Sequence, residues 1–291
     1  MKKRHIRMMV GVAILAATIA TVAGSAATQS TVQKSYHRPS TRLLSEATAA
    51  LTAYLAHGHQ TALHAHGLRN GLSGSPSATT SYNWSGYADV ASTDATFSAV
   101  SGSWVTPAAT CTNEDQLTSE WVGLDGWNSD TVEQDGTLDW CFEGTAFYYT
   151  WYEMYPAGTI EVGTSLQPGD AISASVVRTG TSYRMALTDA TNTANSFAIK
   201  KTCAATTCVA TSAEWIAERP AFSIGIAPLA DYSSWTLKAG KETANGVAGS
   251  ISSYATSYQV YSIDATDSYY LDTTSALKNP NQFTTTWLNS Y

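Results

Sequence analysis

Carboxylates, one glutamine and large aromatic rings fall together in one stretch of the chain, Ser119 to Pro156. It reads S-E-W-V-G-L-D-G-W, then V-E-Q-D-G, then W-Y-E-M-Y-P. In an extended backbone alternate residues share a face. Trp121, Gly123 and Asp125 then point one way, with Val122 and Leu124 opposed; Trp151, Glu153 and Tyr155 share a face, as do Val132, Gln134 and Gly136. The solvent face of a soluble sheet usually shows small polar residues, so rings among acids predict the lining of a groove. Downstream, S-A-E-W-I-A-E-R places Glu214, Ile216 and Glu218 on one face. A carboxylate beside Trp215 and Ile216 is a candidate for a raised pKa, because desolvation disfavours its charged form. The plainer reading is a surface acid, or one paired with Arg219.

The histidines narrow the chemistry. All six (His5, His37, His57, His59, His64, His66) lie in the first 66 residues. A domain beginning near residue 79 therefore has no histidine for a Ser-His-Asp triad, a Cys-His pair or a histidine-ligated zinc. Neither G-x-S-x-G nor D-[ST]-G occurs. Hydrolysis would have to run on carboxylates, amides and water, with no metal or cofactor.

Several elements must position these groups. From Tyr82 onward, short runs rich in Val, Ile, Thr, Tyr and Trp alternate with Gly, Asn, Asp and Pro turns. That texture predicts an all-β, antiparallel two-sheet sandwich over residues 79–291. Ahead of it, Lys2, Lys3, Arg4 and Arg7 precede an apolar run and small residues, the layout of a signal peptide over 1–26; an uncleaved anchor is the rival reading. Residues 27–78 read as a propeptide and linker. Within them Leu44, Ala47, Leu51 and Leu55 recur at helical spacing.

Four cysteines allow three pairings. Cys111–Cys141 would bracket the Trp121 and Gln134 segments, and Cys203–Cys208 would close a short loop. Disulfides in an oxidising, extracellular compartment fit better than a metal site, since no histidine lies near them. Residues 79–291 hold eight Lys/Arg against 22 Asp/Glu, a formal charge of −14. Such a domain repels nucleic acid and anionic membrane, so the mature form is expected to be secreted, monomeric and bound to neither. Residues 27–78 carry four Lys/Arg against Glu46, and their charge should draw them over the acidic domain. Asn83-Trp84-Ser85 matches a glycosylation acceptor, a weak signal.

In order, Y-N-W-S-G-Y-A, S-G-S-W-V-T-P, W-V-G-L-D-G, V-E-Q-D-G, W-Y-E-M-Y-P and A-E-W-I-A-E resemble the glutamic peptidases, or eqolisins. The resemblance spans roughly Tyr82 to Glu218. It implies a sandwich with one sheet bent into a concave substrate groove, and acid-acting hydrolysis of protein or peptide substrates. By motif, Gln134 and Glu214 match the catalytic dyad. Trp121, Asp125, Trp151, Glu153 and Tyr155 fall in segments near the substrate. Met154 stands where relatives often carry Trp, and the altered spacing leaves Asp139 without an assigned place. The alternatives are a sandwich glycosidase using Glu153 and Glu214, and a secreted carbohydrate-binding module.

Overall fold

The computed structural model describes residues 39–56, 62–63, 76–91, 96–204, 206–222, 225–253 and 256–291. The expected signal segment, most of the expected leader and all six histidines lie outside the described residues. In chain order the elements begin with α1 (Thr41–Leu55), β1 (Ser77–Ser81), β2 (Trp84–Val90), β3 (Phe97–Val105), β4 (Gln116–Leu124), β5 (Val132–Phe142) and β6 (Thr145–Tyr155). There follow β7 (Ile160–Gly163), β8 (Ala171–Thr179), β9 (Ser182–Asp189), β10 (Phe197–Thr202), β11 (Ser212–Glu218), β12 (Ala221–Phe222) and β13 (Gly225–Ile226). The last are β14 (Ser234–Ala244), β15 (Val247–Ser250), β16 (Thr256–Ser262), β17 (Asp272–Thr274) and β18 (Phe283–Trp287).

Two large sheets form the expected sandwich. The first runs β1-β16-β2-β11-β4-β5-β6-β7 and the second β10-β9-β8-β3-β14-β18-β17, with β15 beside β14. Pairing is antiparallel except between β1 and β16, which are parallel. This departs from a purely antiparallel sandwich, and it places the 78/79 boundary inside β1. The second sheet shows ordinary alternation: Ile172, Ala174 and Val176 of β8 and Tyr183, Met185 and Leu187 of β9 turn inward, their neighbours outward. They meet Val122, Leu124 and Trp215 from the first sheet in the inter-sheet core.

The first sheet is different. Every residue of β4 and β11 is buried, and all but the last of β5. Such uniform burial requires cover on both faces. One cover is the second sheet; the other is α1, whose Ala47, Leu51 and Leu55 are buried with Trp84, Trp121, Trp151 and Ile216 in a second apolar cluster. The Ser40 hydroxyl accepts from the Leu43 amide at 3.3 Å, capping the helix N-terminus. The stripe expected at Leu44, Ala47, Leu51 and Leu55 is the face that packs. Fully burying one such leucine contributes about 1.5–3 kcal/mol. The side chains by which α1 packs on the sandwich are apolar; the leader cations other than Arg42 (Lys34, Arg38 and Arg69) lie outside the described residues. Among the described residues the helix's one ion pair is internal, Arg42 with Glu46 at 2.9 Å.

Both expected disulfides are present, with Cα–Cα separations of 5.3 Å for Cys111–Cys141 and 6.0 Å for Cys203–Cys208. Among the described residues no helix is long and apolar enough to cross a membrane.

Candidate active site

Register in the first sheet assembles the expected residues. Glu214 on β11 lies opposite Gly123 on β4, Gly123 opposite Gln134 on β5, and Gln134 opposite Glu153 on β6. The next row reads Ile216, Trp121, Gly136, Trp151. Side chains of both rows project from the outer face, the face on which α1 packs. Gln134, Glu153 and Glu214 come from segments up to 80 positions apart, and only the insertion of β11 between β2 and β4 brings them together.

Hydrogen bonds fix the geometry. Gln134 Nε2 donates to Glu153 Oε2 at 2.5 Å, while Thr159 Oγ1 donates to Glu153 Oε1 at 2.9 Å. One amide proton of Gln134 is thereby committed and the second remains for another acceptor. Gln134 Oε1 is buried and unpartnered, and neither oxygen of Glu214 makes a well-formed hydrogen bond. Trp121 Nε1 donates to Glu218 Oε2 at 2.8 Å, and Asn83 Nδ2 approaches Glu218 Oε1 at 3.5 Å. The Trp121 ring packs edge-on to Trp84 with centroids 4.9 Å apart. Its six-membered edge lies over Gly123: a Cβ there would stand 2.8 Å from Trp121 Cζ3.

Burial raises the Glu214 pKa well above the ordinary glutamate value; the charges of Asp125, Glu133 and Asp89 push the same way, and the Ser212 hydroxyl opposes them. The raised value expected from the apolar neighbours is therefore present, and neither a surface location nor an Arg219 partner is. Arg219 Nε instead donates to the Ala227 carbonyl at 2.6 Å.

Asp125 hydrogen-bonds neither Gln134 nor Glu214 among the described contacts. It sits just past β4 with φ +67°, and its carboxylate accepts from the Ala210 and Thr211 amides at 2.6 and 2.8 Å. It clamps the segment that leads into β11, and so sets where Glu214 emerges. Trp151 is buried in the outer cluster and Tyr155 packs partly exposed at its margin. Asp139 turns the other way, into the sandwich, beside Glu120. Asn83 is fully buried, its Oδ1 accepting from the Leu63 amide at 2.7 Å, so the folded chain offers no glycan acceptor there. Thr159 and Glu218 had no signal of function in their residue type. Alternation put Glu218 on the Glu214 face, but not its role as acceptor for the Trp121 indole.

The leader reaches the site from two sides. The Thr159 amide donates to the Leu55 carbonyl at 3.2 Å, and the Ala62 amide donates to the Gly126 carbonyl at 3.1 Å. Leu63 is tied to Ser81, Tyr82 and Asn83 at the start of the domain. Beside α1 a cleft of about 680 Å³ stays open, lined by Thr48, Thr52, Leu55 and the Ala157–Glu161 turn.

The description "Peptidase A4 family" matches residues 82–287. The chain belongs to the Peptidase A4 family. Aspergillopepsin-2 of Aspergillus niger is 29% identical over 138 residues, which is 46% of this chain and 49% of that protein. The alignment thus spans about half of that relative's length. Aspergilloglutamic peptidase, also from Aspergillus niger, superposes with a TM-score of 0.50 at 26% identity, covering 60% of this chain and 99% of that one. Scytalido-glutamic peptidase, solved with a transition-state analog inhibitor, gives a TM-score of 0.60 at 23% identity, covering 71% and 98%. The Peptidase A4 match does not extend to the glycosidase or the carbohydrate-binding module.

Proposed function

We propose that the chain is the precursor of a secreted, acid-acting endopeptidase in which Gln134 and Glu214 form the catalytic dyad. The supporting observation is the row Glu214–Gly123–Gln134 on the outer face of the first sheet of a Peptidase A4 sandwich, with unpartnered polar atoms on both flanking side chains. Backbones two strands apart stand about 10 Å from each other. Side chains from the same face can then bracket a scissile carbonyl and an attacking water. Ionised Glu214 takes a proton from that water as it attacks, and returns it to the leaving amine as the C–N bond breaks. The free N–H of Gln134 donates to the developing oxyanion. Glu153 holds the amide so that this proton faces the gap, and the apolar wall of Trp121 and Ile216 strengthens the electrostatic terms by excluding water.

Residues 27–78 act as a propeptide whose helix α1 lies over the dyad and withholds it from substrate. With α1 in place the desolvated Glu214 favours its neutral form, so the covered site lacks both access and a base. Two disulfides and the signal-like first 26 residues support secretion. The test is hydrolysis by the matured protein at pH 3–4, offered casein and a panel of polysaccharides. Casein cleavage without sugar release is expected; sugar release without peptide cleavage would overturn the proposal.

A further inference from the structure

The outer face of the second sheet has a charge pattern opposite to that of the domain. Outward positions on β3, β8 and β9 are short: Ser101 and Ser103, Ser173 and Ser175, Ala186 and Thr188. They leave a shallow trough of about 420 Å³. Register places Lys241, Ser101, Ser175 and Ala186 in one row and Lys238, Ser103, Ser173 and Thr188 in another. Arg184 on β9 pairs with Lys200 on β10 at the opposite margin. Two cations on β14 thus face two on β9 and β10 across strands of serine. The β14 and β9 margins are three strand spacings, or about 14 Å, apart.

All four cations are exposed, and among the described residues none enters an ion pair. The acids on these strands, Asp189 and Glu242, are buried and turned inward. Half of the eight Lys/Arg in residues 79–291 therefore stand together, uncompensated, on one face of a domain with formal charge −14. Segregation of this kind makes a local positive field that attracts an anionic partner.

Two features choose the anion. Carboxylates titrate near pH 4, so a polycarboxylate loses its charge under the acidic conditions of the proposed activity. That step rests on the acid-acting reading. Phosphodiesters keep their charge there. No aromatic ring occupies an outward position on β3, β8, β9, β10 or β14, so the face has no platform on which nucleic-acid bases or sugar rings could stack. We infer that this trough docks a flexible phosphate-linked chain without stacking rings, its charges held by Arg184, Lys200, Lys238 and Lys241 and its oxygens by the serine hydroxyls.

The test is titration of the intact chain with long-chain inorganic polyphosphate at pH 4, followed by the change in polarisation of a labelled polymer. Four phosphate contacts predict an affinity that falls with salt with a log–log slope of about −3. Replacing Arg184, Lys200, Lys238 and Lys241 together by Gln should weaken binding roughly 100-fold at low salt and flatten that slope. Lys201→Gln with Lys278→Gln, off the face, should leave both unchanged. Equal binding by the fourfold variant, no binding by the wild type, or tighter binding of single-stranded DNA or heparin at equal charge would each overturn the inference. Binding is read without turnover, so its failure is separable from failure of the peptidase assignment.

Discussion

Gln134 and Glu214 are both register partners of one residue, Gly123, which β4 places between them. A side chain on that central position would press on the Trp121 ring and on Gln134. With the fold intact, Glu214→Gln should abolish peptide hydrolysis, because the other carboxylate on this row, Glu153, has its two oxygens engaged by Gln134 and Thr159. Gln134→Ala should lower kcat by at least about 100-fold, the scale of other lost oxyanion donors. Either purified, folded variant cleaving peptide at near wild-type rate would refute the dyad.

Gly123 itself can be tested. A Cβ there would stand 2.8 Å from the Trp121 ring and 3.2 Å from Gln134 Cβ. The ring must then shift against its bond to Glu218, and Gln134 must give by a few tenths of an ångström against its bond to Glu153. Displacement by a fraction of an ångström at a positioning residue is costly in rate, up to about 100-fold for 1 Å. Gly123→Ala should therefore reduce kcat while KM and the circular dichroism spectrum stay close to wild type. A purely structural role would instead lower Tm and leave kcat of the folded fraction intact.

The cover over the site depends on Leu51, which is fully buried in the cluster containing Trp84 and Trp121. Leu51→Asp removes that packing and would bury a charge; large-to-small changes at such sites alone cost about 2–5 kcal/mol. The expected result is peptidase activity from the full-length chain before its leader is cut, together with faster maturation. Glu46→Ala, which breaks only an exposed pair, should change neither appreciably, because such pairs contribute at most about 1 kcal/mol. An uncut Leu51→Asp chain as silent as wild type would show that α1 is not what closes the groove.

Much of this was legible in the order of residue types. Period-two alternation put Trp121 with Gly123, Gln134 with Gly136 and Glu214 with Glu218 on common faces, and the helical spacing of Ala47, Leu51 and Leu55 marked the face of α1 that packs. Alternation is local, however. It cannot say that β11 enters the sheet between β2 and β4, the step that brings Glu214 to Gly123. Nor can it say which surface an amphipathic helix covers. Asp125 shares strand parity with Trp121, but its positive φ past the strand end turns its carboxylate to backbone amides. Asn83 matched a sequon and is buried.

The last prediction concerns pH and the fold itself. Glu120, Asp135 and Asp139 point into the core between the sheets and are fully buried; Asp272 is buried there as well, hydrogen-bonded to Ser85 and Tyr232. Desolvation raises Glu120 to about 8, against the Thr137 hydroxyl bond, and Asp272 to about 7, against its bonds to Ser85, Ser262 and Tyr232. Glu133, near Asp125, rises to about 9 from the same cause. Burial holds Asp135 and Asp139 well above the ordinary range, Asp139 further raised by the Glu120 charge. In each case the folded value exceeds the unfolded one near 4. Between the two values the native state binds more protons than the unfolded chain, so stability falls as pH rises. For Glu120, Asp272 and Glu133 the contribution is complete below about pH 4 and is lost as pH passes 7–9, on the order of a few kcal/mol per group. Thermal melting should therefore give its highest Tm in acid and decline steadily to pH 8. Glu120→Gln with Asp272→Asn should flatten part of that decline, because neither replacement can ionise. A Tm that is level or rising from pH 4 to 8 would show that these carboxyls are not held neutral by the fold.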